Sequence, residues 1–364
     1  MSFETFMDMA LYFPGLGYYA KETTKIGRSG DFYTGPHLHP IFGAMIGRQM
    51  EEIWALMGRP DLFRVIEMGA GMGYGARDML DYLKRSSVGS RQSKGKETCF
   101  EHLLYTIVEL NPAIKAKQQE LLSHSRGKVN WVSDLKEIGT VRGCFLSNEL
   151  LDAFPVRLVR MDKKLMEIAV AAEGDEFVEV MVPCGEFVRE YFRELDIELP
   201  EGYRTEVNFR LKDWIRNVSA ALSEGFVITI DYGYPAWDYY SEERNRGTLL
   251  GYYQHQVIED PYRNVGEQDL TAHVNFSSAK KWGEEFGLRT VGFGPQGSYL
   301  VSLGIDEVIT ELYGDSPDTF ETAKIKGLIF PQGMGESHKV MIQYKGDTEP
   351  ELRGFALRNQ IGKL

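Results

Sequence analysis

Val65-Ile66-Glu67-Met68-Gly69-Ala70-Gly71-Met72-Gly73 is the stretch that decides the fold, because it joins a short apolar strand to a glycine-rich turn. A helix-forming segment over residues 75–84 follows at once. Glycine has no Cβ, so the backbone can turn sharply here and a ligand can lie against it. The following helix presents unpaired N–H groups and its positive end to an anion. The turn therefore predicts an anion-binding site at the end of the strand.

The acidic residue of this turn bears on which anionic ligand is bound. Glu67 stands at the strand end, where its carboxylate repels a pyrophosphate but suits a ligand with an ammonium group, such as S-adenosylmethionine. A dinucleotide stays open as the rival ligand, because Gly71-x-Gly73-x-x-Ala76 also fits the G-x-G-x-x-A pattern. A plain tight turn is the third alternative. We interpret the run as the first motif of a class I methyltransferase.

Composition and charge exclude some functions. The chain has 364 residues, 43% of them hydrophobic, and a formal net charge of −12. A strongly acidic protein is a poor partner for nucleic acid and for an anionic membrane face. No apolar run approaches membrane-spanning length. The scattered cysteines at 99, 144 and 184 form no C-x-x-C pair, which argues against a disulfide framework or a zinc site. We expect a cytoplasmic protein with no metal.

Strand and helix signals alternate after residue 60, which predicts a parallel sheet with helices on both faces. The expected strands are residues 63–68, 103–110, 128–132, 144–147, 225–233, 290–293 and 339–344. We predict an α/β, Rossmann-like class I methyltransferase domain over residues 61–344, with a mostly parallel seven-stranded sheet. An antiparallel β/helical insertion is expected at about 156–204, and acceptor-side loops at about 234–276. Residues 1–60 read as a helical lead-in with a loop over the active site, residues 85–98 as a loop, and residues 345–364 as a loose tail.

Ligands of an open parallel sheet bind outside the carboxyl ends of its strands, so the residues at those ends are candidates. Glu109 ends the second strand, where it can grip a ribose diol, although an exposed helix-capping glutamate is the plain alternative. Asp134 follows the third strand. Its carboxylate can accept from an adenine amino group or cap the next helix, and the sequence leaves both open.

The fourth strand ends in Asn148-Glu149-Leu150-Leu151-Asp152, beside the point where the methyl group and its acceptor meet. Carboxylates at Glu149 and Asp152 can hold a guanidinium or ammonium group, or accept a proton from the nucleophile. A solvated acidic turn is the alternative. His255 and His273 lie in aromatic loops that can form the acceptor pocket, and either is a candidate base. Methyl transfer needs mainly alignment and exclusion of water, so few catalytic groups are required.

A series of ordered motifs resembles the MidA-type methyltransferases, the bacterial and mitochondrial relatives of the respiratory complex I assembly methyltransferase. The resemblance runs from about residue 3 to residue 344. The motifs are Phe6-Met-Asp-Met-Ala-Leu-Tyr12, Gly17-Tyr-Tyr19, Gly30-Asp-Phe-Tyr-Thr34, Glu67-x-Gly69-x-Gly71-x-Gly73, Asn148-Glu149-x-x-Asp152-Ala-Phe-Pro-Val156, Ile230-Asp-Tyr-Gly233, Asp269-Leu-Thr-Ala-His-Val274, Gln296-Gly297 and Gly333-Met-Gly335.

The resemblance implies a class I S-adenosylmethionine fold and, by analogy with the mitochondrial member, protein arginine methylation. It implies donor-binding roles for Glu67, Gly69, Gly71, Gly73 and Glu109, to which we add Asp134 and Asn148 from the strand ends. An arginine on a partner protein is the leading acceptor. A small-molecule N- or O-methyltransferase and a non-catalytic assembly factor remain alternatives, and a homodimer is one open oligomeric state.

The chain departs from the family in segments that we expect to face the acceptor. Ser147-Asn148-Glu149 resembles the first half of the acidic hairpin of protein arginine methyltransferases, but Leu158 stands where a second glutamate is expected. Gly35-Pro36-His37 replaces the usual Ser-Pro-Glu, and Glu336-Ser337-His338 replaces an apolar pair. These departures leave the donor prediction intact and leave the acceptor open.

Overall fold

A computed structural model describes residues 1–21, 35–92, 97–314 and 318–364, with side chains outside 89–92. A central sheet with the strand order β14-β15-β9-β4-β1-β2-β3 organises the chain, and β13 adds to the end of β9. β15 runs antiparallel to both of its neighbours, and the other pairings are parallel. The prediction of a mostly parallel, Rossmann-like sheet with seven strands along its path is confirmed.

The strands of the described residues are β1 Phe63–Met68, β2 Leu103–Val108, β3 Val129–Val132, β4 Val141–Asn148, β5 Arg157–Asp162, β6 Lys164–Glu173, β7 Glu176–Pro183, β8 Arg204–Val207, β9 Leu222–Tyr234, β10 Leu250–Tyr253, β11 Gln256–Ile258, β12 Asp269–Thr271, β13 Val274–Asn275, β14 Arg289–Pro295 and β15 His338–Lys345. The α-helices are α1 Phe3–Tyr12, α2 Gly35–Leu38, α3 Ile41–Leu56, α4 Tyr74–Gln92, α5 Cys99–His102, α6 Pro112–Leu121, α7 Glu186–Glu194, α8 Phe209–Ala221, α9 Ala236–Tyr239, α10 Phe276–Glu285, α11 Gln296–Ser302, α12 Ile305–Tyr313, α13 Thr319–Ile329 and α14 Met334–Ser337.

Both faces of the central sheet are buried, which explains why its strands read as nearly continuous apolar runs. On one face, α3, α4 and α11 to α13 form a core with side chains such as Val65, Tyr105 and Ile228. On the other face, α7, α8 and α10 pack against Ile66, Phe145 and Val227. Successive side chains of a strand therefore pack into opposite cores. Because both faces are covered, a ligand can reach the sheet at the carboxyl ends of its strands.

The insertion after the fourth parallel strand is a second, antiparallel sheet with the order β7-β6-β5-β8. Its inner face packs on α1, where Phe3, Phe6 and Leu11 meet Leu158 and Ile168 in a third core. A small sheet, β11-β10-β12, joins the same core through Leu270 of β12. The N-terminal helix is therefore fixed to the insertion rather than to the central sheet.

Three local expectations are wrong. Residues 85–92 were expected to lie in a loop but continue α4 as far as Gln92. The helix is stabilised by one apolar face, which packs against α3 through Ala76, Met79, Leu80 and Leu83. The sequence also predicts a helix over about residues 205–223, but residues 204–207 form β8 and the helix α8 begins at Phe209.

The third error concerns the C-terminal residues, which are not loose. Phe355 is 5% exposed and lies against Tyr299, and the Gln360 N–H donates to the Phe293 carbonyl at 2.6 Å. No helix in the described part of the chain is both long and apolar enough to cross a membrane. Cys99, Cys144 and Cys184 are buried free thiols.

Candidate active site

A cavity of about 920 Å³ opens at the carboxyl ends of the central parallel strands. Its walls come from the residues that follow β1, β2 and β4, from α1 and the segment after it, and from α8. Small-molecule sites commonly occupy about 300–1,000 Å³, so the cavity has room for a ligand of nucleoside size together with part of a second molecule. Its position is the one expected for an open α/β sheet.

The glycine turn forms the floor of this cavity. Gly69, Gly71 and Gly73 have φ values of 77°, 53° and 84°, in the left-handed region that favours glycine. A Cβ on Gly69 would lie 2.9 Å from Leu150 Cδ1, so the residue must also be small. The Gly73 N–H donates to the Ala70 carbonyl at 2.8 Å and closes the turn directly before α4. The backbone is therefore open to a ligand at the start of a long helix.

Glu67 lines the cavity but is only 6% exposed. Burial raises the pKa of this carboxyl to about 7, and the hydrogen bond that Tyr105 Oη donates at 2.7 Å opposes the rise. Tyr105 lies on the neighbouring strand β2, paired with Val65. Glu67 is thus a carboxyl group that ionises readily when a cation arrives. No sequence signal points to the role of Tyr105, because its partner lies 38 residues away.

Glu109 lies on the cavity wall beside the glycine turn. Its Oε1 accepts from the Asn111 N–H at 2.7 Å, and its Oε2 accepts from Gln118 Nε2 at 3.1 Å. The same Gln118 nitrogen donates to the Gly71 carbonyl at 2.7 Å. Gln118, which sequence reasoning missed, therefore links the acid of β2 to the glycine turn of β1. Burial raises the pKa of Glu109 above its usual range.

Asp134 is exposed and does not belong to the cavity lining formed by the described residues. Its Oδ1 accepts from the Lys136 N–H at 2.8 Å and caps a short 3₁₀ turn, while Glu137 Oε1 accepts from the Asp134 N–H at 2.8 Å. The structure therefore shows the capping interaction that the sequence left as one of two alternatives.

Asn148 and Glu149 reach the cavity from the end of β4. Glu149 has a φ of 48°, uncommon for a residue with a side chain, and its N–H donates to the Ile230 carbonyl at 2.9 Å. Its Oε1 accepts from the Gly35 N–H at 3.2 Å and from Asn148 Nδ2 at 3.3 Å. The backbone bond fixes the strained turn, and the turn directs a carboxylate to the cavity.

Asp152 lies behind this wall rather than on it, because it is missing from the cavity lining among the described residues. Its Oδ2 accepts from Tyr232 Oη, and burial raises the pKa of its carboxyl to about 6, with nearby Glu149 adding to the rise. Asp231 accepts from the Leu151 N–H at 3.0 Å and from the Tyr232 N–H at 2.9 Å, and burial raises its pKa strongly. Acidic groups therefore support the Glu149 turn from behind.

Two sequence predictions on the acceptor side are not supported. His255 is exposed in the tight turn between β10 and β11, with a φ of 63°, and lies outside the cavity lining of the described chain. A hairpin tip faces solvent, so His255 is not placed to act as the base. Burial lowers the pKa of His273 to about 4, and it too is missing from the described lining. Leu158 is 1% exposed in the third core, so no second acidic residue enters from β5.

The N-terminal lead-in contributes one wall of the cavity through Tyr12 and Tyr19. Tyr12 Oη donates to the Ala153 carbonyl at 2.8 Å, and Tyr19 Oη donates to Asp269 Oδ1 at 2.9 Å. Asn111 Nδ2 donates to the Tyr19 carbonyl at 3.0 Å, which joins the lead-in to the end of β2. The motif at residues 30–34 lies outside the described residues.

Comparison with known proteins agrees with this geometry. Residues 45–294 match a protein family described as "Putative S-adenosyl-L-methionine-dependent methyltransferase". A Burkholderia thailandensis protein, crystallised with S-adenosyl-homocysteine, is 31% identical and superposes with a TM-score of 0.88. The native crystal structure of a protein from the same organism is 32% identical, with a TM-score of 0.85. Each match covers 100% of this chain and 92% of the crystallised one.

More distant relatives carry a functional name. The rat protein named "Protein arginine methyltransferase NDUFAF7, mitochondrial" is 25% identical over 91% of this chain and 78% of its own length. The zebrafish protein of the same name is 26% identical over 92% of this chain and 81% of its own. The product-bound relative resolves the choice of ligand that the turn left open between a dinucleotide and a methyl donor. The chain belongs to this family of S-adenosylmethionine-dependent methyltransferases, and S-adenosylmethionine is its methyl donor.

Proposed function

We propose that this methyltransferase acts on the guanidinium group of an arginine in a partner protein. The observation that carries the proposal is the carboxylate of Glu149, which stands on the cavity wall at the end of β4. A carboxylate forms its strongest charge-assisted hydrogen bonds with a guanidinium, whose planar N–H groups match its two oxygens. The curated relatives named protein arginine methyltransferases support the same acceptor.

The donor side of the cavity fits S-adenosylmethionine. Gly69 and Gly71 line the cavity and carry no side chains, so a ligand can lie close to the backbone there. Glu67 can receive the ammonium group of the methionine moiety, and the Glu109 carboxylate can accept from the ribose hydroxyls. Asn148 Oδ1 is buried without a hydrogen-bond partner among the described residues, which leaves it available to a donor group. Our proposed donor site therefore consists of Glu67, Gly69, Gly71, Glu109 and Asn148.

Electrostatics favour a cationic acceptor on the other side of the cavity. Asp152 and Asp231 are buried behind Glu149, and, in addition to burial, repulsion from Glu149 raises the pKa of both carboxyl groups. A guanidinium that pairs with Glu149 relieves this repulsion, because it brings a positive charge to a cluster of acids. Tyr12, Tyr74 and Phe154 also line the cavity and can stack on the planar group. The cluster thereby substitutes in part for the second glutamate that Leu158 replaces.

The sulfonium of the donor supplies an activated methyl group with a good leaving group, so the protein contributes mainly geometry. Glu149 holds the acceptor nitrogen, the turn after β1 and Glu109 hold the donor, and the lead-in excludes water from the space between them. The acceptor proton leaves toward Glu149, the carboxylate nearest the guanidinium in this arrangement.

A labelled donor tests the proposal. The full-length protein is incubated with deuteromethyl S-adenosylmethionine and an extract of cells that lack the gene, and labelled amino acids are identified by mass spectrometry. We expect label on arginine with the wild-type protein. Glu149→Gln should lower that labelling at least about 100-fold, since it removes the charge that pairs with the guanidinium. Glu120→Gln, an exposed change on α6, is the matched control and should behave as the wild type.

Calorimetry with S-adenosyl-homocysteine accompanies this assay. Donor-site affinity should stay within about threefold in Glu149→Gln, since no donor contact is removed. Label in a small-molecule fraction, or full arginine labelling by the Glu149→Gln protein, would reject the arginine proposal. The first result would establish the small-molecule alternative instead.

A further inference from the structure

His338 stands directly behind Glu149, although the two residues are far apart in the sequence. It begins β15, where it pairs with Tyr232 of β9, and its side chain is only 10% exposed. Its Nε2 lies 3.8 Å from Glu149 Oε1. Within the described residues this nitrogen has no hydrogen-bond partner. A buried imidazole nitrogen thus faces the carboxylate that we assign to the acceptor.

The contacts of Ser337 bear on the tautomer of this imidazole. The Ser337 hydroxyl donates its single proton to the Gly333 carbonyl at 3.4 Å. Ser337 Oγ and His338 Nδ1 are 3.1 Å apart, and when the hydroxyl proton goes to Gly333 the ring supplies the proton between them. With Nδ1 protonated, Nε2 of the neutral ring carries a lone pair. That lone pair points toward a carboxylate oxygen of Glu149. The contact becomes favourable when the nitrogen and the oxygen share one proton.

Among the residues that the structure describes, the other groups around His338 have their polar atoms engaged elsewhere or lie farther from Nε2. The Tyr232 ring contacts the imidazole at a centroid distance of 5.5 Å and an interplanar angle of 70°, but its hydroxyl donates to Asp152. Asp152 and His273 are electrostatic neighbours of His338, and burial lowers the pKa of His273 to about 4. Glu149 is therefore the group with which His338 can exchange a proton.

We propose that His338 is a positioning residue that relays the acceptor proton away from Glu149. The inference rests on the proposed transfer to arginine. As the N–C bond forms, the bond from sulfur to the methyl group breaks and sulfur keeps the electron pair as a neutral thioether. The newly methylated nitrogen gives its proton to Glu149 Oε1, which passes it to His338 Nε2. The imidazole then releases its Nδ1 proton to solvent through the hydroxyl of Ser337, which is exposed. Glu149 stays ionised and keeps its hold on the methylguanidinium product.

The separation of 3.8 Å is longer than a hydrogen bond, as is common for catalytic pairs before the acceptor is bound. The bonds that Glu149 Oε1 accepts from the Gly35 N–H and from Asn148 Nδ2 are long, at 3.2 and 3.3 Å, so they leave the carboxylate room to move toward the imidazole. The relay explains why a polar, buried histidine occupies the first position of β15, where an apolar residue would bury without cost.

Nuclear magnetic resonance of the histidine rings tests the pair without any methyl acceptor. The full-length protein is labelled with ¹⁵N-histidine and saturated with S-adenosyl-homocysteine, and His338→Gln identifies the signal of residue 338. We expect the Nδ1–H tautomer at His338 and a clear shift of its Nε2 resonance in Glu149→Gln. His255, exposed on its hairpin, is the internal control and should not respond. An Nε2–H tautomer, or an unchanged His338 signal in Glu149→Gln, would overturn the relay.

Kinetics then separate a relay from a merely structural role. With a peptide that carries the arginine labelled by the deuterated donor, His338→Gln should lower kcat about 100-fold and leave KM within about twofold. His255→Gln should leave both unchanged. His338→Asn keeps a donor to Ser337 Oγ and serves if the glutamine variant fails to fold. Equal losses in kcat and in acceptor affinity would reject the relay.

The two proposals fail in distinguishable ways. If no arginine is labelled but the His338 signal responds to Glu149→Gln, the proton-sharing pair exists and the acceptor assignment is wrong. If arginine is labelled and His338 does not respond, the arginine proposal stands and the relay is rejected.

Discussion

At the scale of single residues, the proposed contact of Glu67 with the donor would couple donor binding to proton release. Burial raises the pKa of its carboxyl from 4.5 to about 7, so near neutral pH a large fraction of the free protein carries the proton. The ammonium group of the donor favours the ionised form and displaces that proton. The affinity for donor or product should therefore rise with pH up to about 7 and then level off.

Calorimetry in two buffers of different ionisation enthalpy measures this release. At pH 6.5 we expect roughly 0.75 proton released on binding S-adenosyl-homocysteine, the protonated fraction for a pKa of about 7. Glu67→Gln should bind without release and without the pH dependence. Release that persists in Glu67→Gln would assign the proton to another group.

The same carboxyl affects stability with a definite sign. Because its folded-state pKa lies above the unfolded value, the folded state binds more protons between pH 4.5 and about 7, and stability falls as pH rises through that window. At about 1.36 kcal/mol for each pKa unit, the loss above pH 7 amounts to about 3 kcal/mol. The free energy of unfolding of Glu67→Gln, minus that of the ligand-free wild type, should therefore be larger at pH 8 than at pH 4.5. Urea unfolding of both proteins at both pH values measures this difference.

At the scale of elements, the glycine turn between β1 and α4 must satisfy two constraints at once. Gly69 has a positive φ, and a Cβ added to it would lie only 2.9 Å from the side chain of Leu150. Gly127 also has a positive φ of 86°, but nothing lies within 4 Å of the place where its Cβ would be. Alanine substitutions at the two glycines therefore distinguish the cost of backbone strain from the cost of steric conflict.

We expect Gly127→Ala to cost about 1 kcal/mol through strain alone and to leave donor affinity unchanged. Gly69→Ala should cost at least about 2 kcal/mol and lower the affinity for S-adenosyl-homocysteine, because Leu150 must move on the cavity wall. Urea unfolding measures the free energy of unfolding, and calorimetry on the same samples measures the affinity for S-adenosyl-homocysteine. Equal behaviour of the two variants would show that crowding at Leu150 has no consequence.

At the scale of the whole molecule, the last residues of the chain complete the core of the central sheet. Phe355 packs on Tyr299 with a centroid distance of 5.3 Å, and a Cβ on Gly292 would collide with its ring. Phe355→Ala should therefore lower the free energy of unfolding by about 3 kcal/mol. Leu357, which is 67% exposed, offers a matched control whose alanine variant should stay within about 0.5 kcal/mol. A stable Phe355→Ala protein would restore the original expectation of a loose tail.

The sequence predicted the central sheet well because periodicity and strand-end residues are local signals. Glu67, Glu109 and Glu149 each follow an apolar run, and parallel strands bring their ends to one edge. The errors arose where distant packing decides the outcome. Residues 85–92 look polar but one face of α4 packs on α3, and Phe355 meets a partner 56 residues away. Similarly, His338 approaches Glu149 only because β15 lies beside β9.

The way in which the chain builds its cavity bears on how such an enzyme diversifies. Apart from Asn148, the proposed donor floor comes from neighbouring segments between residues 63 and 118, whereas the proposed acceptor wall combines α1, the end of β4 and α8. The antiparallel insertion connects the last two, since it begins at Arg157 directly after the Glu149 turn and leads through β8 into α8. Changes within the insertion can therefore select a new substrate while the donor floor is inherited unchanged.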